Sequence, residues 1–221
     1  MKTVRILSIE HATPNVMHVR TEKPDGISYL PGQAVDVAVD EVGWTTELRP
    51  FTFTSLPSDD FLEFFIKTYP EHNGVTDEIS KLSTKNSLLI GDVFGDIQYK
   101  GEGVFIAGGA GITPFIAIMK DVDQRNGIRN NKLIFANNTA SDIIENEFFS
   151  ILLGKNFTNV LSKEQTEKYE YGYITKEIIE SQIQGADSYF YLCGPPPMMD
   201  AVLKELKELG IEESKIIKEE Y

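Results

Sequence analysis

Four short stretches of the sequence carry residue types that can do chemistry. In Val104-Phe-Ile-Ala-Gly-Gly-Ala-Gly-Ile-Thr-Pro114 an apolar, strand-like run meets three glycines within four positions and then Thr113-Pro114, a helix start. A helix that begins where a strand stops turns its free N–H groups and positive dipole end into a space lined by Gly109, Ala110 and Gly111. That space suits a pyrophosphate, and the same residues also serve a plain strand-to-helix turn. In Arg49-Pro-Phe-Thr-Phe-Thr-Ser55, alternation sends Arg49, Phe51, Phe53 and Ser55 to one face and Thr52 and Thr54 to the other. Pro50 marks an edge or a strand start, so the segment either offers a ligand a cation, a flat ring and small hydroxyls, or is an edge strand with a solvated arginine.

The third stretch is His72-Asn-Gly-Val-Thr76, ahead of Asp77-Glu-Ile-Ser-Lys-Leu82. It reads as a short helix with Thr76 as its N-cap. A second helix N-terminus behind a glycine can receive a phosphate beside Arg49, or it is a capped surface helix whose Asp77 and Glu78 repel anions. The fourth is Cys193-Gly-Pro-Pro-Pro-Met198, where the chain's single cysteine stands at a strand end. Taken alone, such a cysteine is usually a small buried hydrophobe. The three histidines form no catalytic pattern with their neighbours, and no metal-ligand spacing is present.

Positioning these residues requires two kinds of architecture. Before about residue 100 the sequence alternates polar and apolar residues over short runs, Lys2 to Ile9, Asn15 to Arg20, Ala34 to Val39, Arg49 to Ser55, Phe61 to Tyr69 and Ser87 to Ile90, with turn residues between them. Five or six such strands predict a small closed antiparallel β-barrel over residues 1–100. From 103 to 221 strand-like and helix-like runs alternate: Lys132 to Ala136 a strand, Asp142 to Leu153 a helix, Asn159 to Leu161 a strand, Thr175 to Gln182 a helix, Ser188 to Cys193 a strand, Pro197 to Leu209 a helix and Ile216 to Glu220 a strand. Strands alternating with helices predict a parallel-sheet α/β domain that binds ligands at the carboxyl ends of its strands. Gly108, Asn137, Asn138 and Cys193 all fall at such ends.

Composition sets limits on partners. The 221 residues are 41% hydrophobic and 25% charged, as in an ordinary globular protein, and 34 acidic residues against 21 basic ones give a formal charge of −13. That charge argues against nucleic acid or an anionic membrane surface as the main partner. One cysteine allows neither an intrachain disulfide nor a cysteine-ligated cluster. The N-terminus carries charges through its apolar run and lacks a signal-peptide core, and no apolar run has membrane-spanning length, so the cytoplasm is the expected location.

Taken together, Arg49-Pro-Phe-Thr52, Gly74-Val-Thr76, Gly108-Gly-Ala-Gly-Ile-Thr-Pro114 and Cys193-Gly-Pro-Pro-Pro-Met198, in that order and spacing, resemble the ferredoxin-NADP reductase superfamily, nearer its compact bacterial flavodoxin or ferredoxin reductase-like members. The resemblance covers essentially the whole chain. It implies a flavin-binding barrel followed by a nicotinamide-dinucleotide-binding α/β domain, and hydride transfer from NAD(P)H to the flavin. By that resemblance Arg49 holds a flavin phosphate, Thr52 reaches the flavin N5 region, and Phe51 packs on the flavin where a tyrosine is usual, one hydroxyl short. Pro50, Ile66, Lys67, His72, Gly74, Val75 and Thr76 belong to the same flavin site. Gly109, Ala110, Gly111, Thr113, Pro114, Asn137, Asn138, Cys193, Gly194 and Pro195 belong to the dinucleotide site, with Cys193 against the nicotinamide. Plant-type relatives end Glu-x-Tyr with the tyrosine stacked on the flavin, and Glu219 and Tyr221 match that ending.

FAD is the cofactor expected, with FMN left as the alternative. NADH is favoured over NADPH because the loop after the second α/β strand has no basic residue between Lys132 and Lys155 to meet a 2′-phosphate. The electron acceptor stays open between a small electron-transfer protein such as ferredoxin or flavodoxin, free flavin or another small molecule, and a larger complex of which this chain is the electron-transfer or regulatory subunit.

Overall fold

The computed structural model describes residues 1–183, 185 and 188–218. They fall into two compact units: Met1–Gln98 with Thr113–Asp121, and Tyr99–Ile112 with the chain from Val122 onward.

The first unit is a single six-stranded antiparallel sheet of β1 (Lys2–Thr13), β2 (Val16–Glu22), β3 (Ala34–Val39), β4 (Arg49–Thr52), β5 (Phe61–Lys67) and β6 (Ser87–Phe94), in the order β4-β3-β6-β1-β2-β5. Just beyond β4 the Thr54 N–H donates to the Glu63 carbonyl on β5 at 2.9 Å, so the two outer strands meet and the sheet closes into the expected barrel. The period-2 pattern explains the filling: Val35, Val37 and Val39 on β3 enter one core with Leu62, Phe64 and Ile66 on β5. Helix α1 (Val75–Ser80) buries Val75 and Ile79 in that core and packs on β3.

One expectation about the strand at 49–55 is corrected here. It ends at Thr52, and beyond that point Phe53, Thr54 and Ser55 are all buried, so the outward face does not continue. Phe53 stacks on Tyr29 with ring centroids 4.0 Å apart, and the Tyr29 hydroxyl donates to the Leu56 carbonyl at 2.9 Å and bonds the Ser55 hydroxyl at 2.9 Å. The gain from burying a large aromatic pair outweighs the alternation. Burial pushes the Tyr29 phenol up to about 12.

The second unit is a parallel sheet of β7 (Gly103–Gly108), β8 (Lys132–Asn137), β9 (Phe157–Leu161), β10 (Glu170–Tyr171), β11 (Tyr189–Cys193) and β12 (Ile216–Lys218), in the order β10-β9-β8-β7-β11-β12. Helix α2 (Thr113–Asn126) belongs to the first unit as far as Asp121 and to the second from Val122; the other helices of the second unit are α3 (Asn146–Leu153), α4 (Lys176–Gln182) and α5 (Pro196–Glu208). The chain runs outward from β7 through β8 to β9, then returns to the other side of β7 as β11. The order therefore reverses between β7 and β11. The Tyr191 hydroxyl fastens the incoming chain: it accepts from the Lys100 and Gly101 N–H groups at 2.9 and 3.0 Å and donates to the Gly101 carbonyl at 2.7 Å.

Two details differ from the sequence pattern. The helix expected over 142–153 begins only at Asn146, because Asp142 is used to accept from the Thr139 N–H and hydroxyl in a capping box that closes a 3-10 turn over Ala140–Asp142. Ile143 is then extended and Glu145 left-handed at φ 54°, which resets the chain before α3. The two-residue strand β10 shows no alternation to detect, since Glu170 and Tyr171 are both exposed.

Candidate functional site

In the first unit the candidate groups lie on β4, on β5 and at the start of α1. The Arg49 side chain is half-exposed; it donates to the neighbouring Leu48 carbonyl at 2.6 Å and stands 3.9 Å from Glu47. Both partners are local, so the guanidinium can turn to a phosphate without breaking any longer-range contact. Pro50 pairs with Asp36 of β3 and Phe51 with Val35; Phe51 is half-buried, packed against the core. Thr52 is half-buried, and its hydroxyl has no hydrogen bond among the described residues.

Helix α1 starts two residues earlier than its sequence indicates. Gly74, extended at φ −105° and ψ −172°, is the N-cap, and Thr76, expected in that role, is the second helical residue. The reason is packing: Val75 is 1% exposed and must already be on the helix to reach the core. No side chain caps this end, and a Cβ on Gly74 would meet nothing within 4 Å, so the first N–H groups of α1 face open space. Asp77 and Glu78 both turn to Lys81, at 2.9 and 3.2 Å, rather than back over the N-terminus. The expected repulsion of an anion is thereby reduced.

Ile66 lies wholly inside the core, so only its main chain can meet a ligand. Lys67 reaches over the Tyr69 ring at 5.6 Å, and Tyr69 stacks on His72 at 5.2 Å. Tyr69 lies outside the residues that the sequence singles out. Its signal was the i, i+2 spacing from Lys67, which places both side chains on one face of an extended strand.

In the second unit the residues after β7 and β11 converge. The glycine stretch itself winds into a 3-10 turn over Gly109–Ile112, with Gly109 at φ 51°, and continues without a side-chain cap into α2, so helical winding begins within the glycines rather than at Thr113 and Pro114. A Cβ on Gly111 would fall on the Cys193 carbonyl and on Gly194, and one on Gly108 would strike Met198 and Pro195. The main chain after β7 and that at 193–195 after β11 therefore touch at the point where strand order reverses, the crevice in which open parallel sheets bind ligands. Cys193 is 7% exposed.

The end of β8 completes the edge. Asn137 is buried and its Nδ2 has no hydrogen-bond partner among the described residues, at a strand's carboxyl end. The main chains of Asn137 and Asn138 accept from the N–H groups of Ser162 and Lys163 at 2.9 Å each, and the Ala140 N–H donates to Glu164 at 2.7 Å. The loop after β8 is thus faced by residues 162–164, which bring one cation, Lys163, and one carboxylate, Glu164, that sequence distance had hidden. Glu219 and Tyr221, the expected terminal pair, lie outside the described residues.

With this geometry in hand, comparison with known proteins is direct. A family model described as an FAD-binding domain matches residues 1–146, and one described as an oxidoreductase NAD-binding domain matches residues 105–204. The chain belongs to the family of oxidoreductases with FAD-binding and NAD-binding domains that these models describe.

Among curated members of this family, the toluate 1,2-dioxygenase electron transfer component of Pseudomonas putida is 24% identical over 93% of this chain and 62% of its own length. NADH-cytochrome b5 reductase 1 of Aspergillus fumigatus is 33% identical over 85% of this chain and 67% of its own. The chain spans between 54% and 62% of the length of the oxygenase reductase components it matches first. In fold it is similar to the FAD/NAD-binding domain of the Vibrio cholerae nitric oxide dioxygenase, with TM-score 0.86, 20% identity and coverage of 100% and 98% of the two chains. It is likewise similar to a Neisseria gonorrhoeae ferredoxin NADP+ reductase solved with FAD and NADP, with TM-score 0.83, 21% identity and coverage of 99% and 97%.

Proposed function

We propose that this chain is the NADH-oxidising FAD module of an electron-transfer reductase, with FAD held by residues 1–100 and the nicotinamide dinucleotide by residues 103–221. The observation that carries the reading is the backbone contact of Gly111 with Cys193 and Gly194 at the sheet's switch point. A turn held that close has no room for a side chain of its own, and it presents N–H groups to a pyrophosphate. When bound, FAD takes a hydride from reduced nicotinamide and returns the two electrons to an acceptor.

The chain's own part is alignment and the exclusion of water. Arg49 and the uncapped start of α1 hold the flavin's diphosphate, Thr52 donates its idle hydroxyl to the ring, and Phe51 covers one ring face. The 109–111 turn with Thr113 and Pro114 holds the dinucleotide phosphates. Asn137 gives its spare Nδ2 proton, and the short, rigid 193–195 segment seats the nicotinamide. NADH is favoured because Glu164 already occupies a loop N–H that a 2′-phosphate would seek, and Asp142 adds a second negative charge beside it. Lys163 opposes this, so the preference is one of degree.

The acceptor is a protein of the kind named for the relatives, an oxygenase component or cytochrome. At −13 the chain fits a partner with a basic docking face better than an acidic one. We assign it to the cytoplasm, where NADH is supplied.

An anaerobic absorbance titration of the desalted protein tests the reading. A bound flavin band that bleaches at lower NADH than NADPH supports it. A colourless protein that stays colourless after incubation with FAD overturns bound flavin and leaves reduction of free flavin. Bleaching only with NADPH overturns the nucleotide assignment.

A further inference from the structure

One buried charge cluster is not used by the site described above. Glu63 on β5 is 2% exposed, yet its carboxylate accepts from His18 Nε2 at 3.0 Å, from Arg20 Nε and Nη2 at 3.0 and 2.9 Å, from Lys120 Nζ at 2.8 Å and from the Thr54 hydroxyl at 3.0 Å. Lys120 also donates to the Thr54 carbonyl at 3.0 Å, and Thr54 and Glu63 share a main-chain bond. All of these residues fall within the first compact unit. One carboxylate with three basic groups around it is more than charge neutrality needs. Arg20 and Lys120 bring two permanent positive charges to Glu63, a second carboxylate, the exposed Glu10, stands 3.6 Å from His18, and Lys120 is tied to Thr54.

Thr54 is two residues beyond Thr52, so its main chain lies at most about 7 Å along the strand from the residue placed at the flavin ring. Permanent charges bonded to that neighbouring stretch of strand act on any group that gains electrons at Thr52, an effect that water at the Arg20 and Lys120 head groups weakens but does not abolish. We propose that Glu63, Lys120 and Arg20 are positioning residues of the flavin site that hold the strand at 49–54 through Thr54 and set the reduction potential of the bound flavin by their charge. The proposal rests on the flavin reading given above.

The sign is fixed by electrostatics. A flavin that takes up electrons is favoured by positive charge nearby. Lys120→Met and Arg20→Gln remove a cation and shift the potential negative; Glu63→Gln removes the anion and shifts it positive. A purely structural role for the cluster would move all three variants the same way, or none.

The experiment is a spectroscopic redox titration of the FAD-loaded full chain and these three variants, with kcat and KM for NADH each measured alongside. Opposite shifts for the cation and anion variants, with kcat changing and KM for NADH unchanged, are the expected result. Lys120→Met and Arg20→Gln each leave Glu63 with two basic partners, so the test stands on them should Glu63→Gln fail to fold. Flavin bound at an unmoved potential in both cation variants, or moved positive, overturns the proposal while sparing the flavin reading. An unaltered chain that binds no flavin overturns both.

Discussion

In the first unit the groups proposed for the ligand are two side chains at the margin of a sheet, Arg49 and Thr52, and a main-chain helix start behind Gly74 with open space around it, whereas in the second they are stretches of main chain, 109–111 and 193–195, pressed together where a parallel sheet reverses its order. Side chains with only local partners can be removed without disturbing what lies beneath them. Main chain in contact with main chain cannot accept even a methyl group. The difference teaches that binding and folding are separable in the barrel and inseparable at the switch point, and substitutions at matched positions can break or sharpen that contrast.

The largest effect is expected at Gly111. Gly111→Val pushes 109–111 away from Cys193 and costs about 3 kcal/mol or more of stability through overpacking and main-chain shift. Loss of NADH oxidation and a lower thermal midpoint should appear together. Gly74→Ala is the matched control: with open space around it, it should keep the unfolding free energy within about 1 kcal/mol while weakening flavin binding. If Gly111→Val folds and turns over NADH normally, the contrast fails.

Next in size is the acid response of the barrel. Burial would raise the Glu63 carboxyl, but the His18 hydrogen bond, the Lys120 charge and the Arg20 fork together hold it far below the ordinary carboxylate range. A carboxyl whose folded pKa is depressed contributes stability above its unfolded value near 4.5, and that contribution is lost as pH falls below it. Glu63→Gln should therefore cost about 3 kcal/mol at pH 7, the low end for a broken buried pair because Arg20 and Lys120 reach water. The cost should shrink as pH is lowered from 5 to 3, which urea midpoints at each pH will show.

How much of this was legible in the sequence depends on what each feature is made of. Strands filled by period-2 apolar residues, such as Ala34–Val39, and the apolar run of Gly103–Gly108 announce themselves. The glycine turn and the Cys193 turn could each be read alone, but their contact is a property of strand order, which no local pattern contains. Thr76 looked like a cap because caps are read from residue type, while the burial of Val75 decided where α1 begins. Glu164 and Lys163 lie more than 20 residues from Ala140 and Asn138, and only the parallel pairing of β8 with β9 brings them alongside.

Arg49→Ala should lower FAD affinity by about 10- to 100-fold, the worth of a charge-assisted hydrogen bond, with the thermal midpoint of the flavin-free protein unchanged because its present contacts are local and exposed. Equilibrium dialysis and a thermal melt measure the two separately. A fall in both would place Arg49 in the fold rather than at the ligand.

The smallest effect is expected from Thr52→Val. Its hydroxyl bonds to no described residue, so stability should stay within about 0.5 kcal/mol while the rate of flavin bleaching by NADH drops several-fold in stopped flow. An unchanged rate would remove Thr52 from the ring.

The first compact unit is discontinuous in sequence, since it takes in Thr113–Asp121, and the FAD-binding family model likewise runs past the glycine turn to residue 146. Residues 1–98 expressed by themselves would lack Lys120 opposite Glu63 and Ile118 beside Gly32. The boundary that the eye draws near residue 100 is therefore not a place to cut, and a modular enzyme built by swapping barrels at that point would inherit an unfinished one.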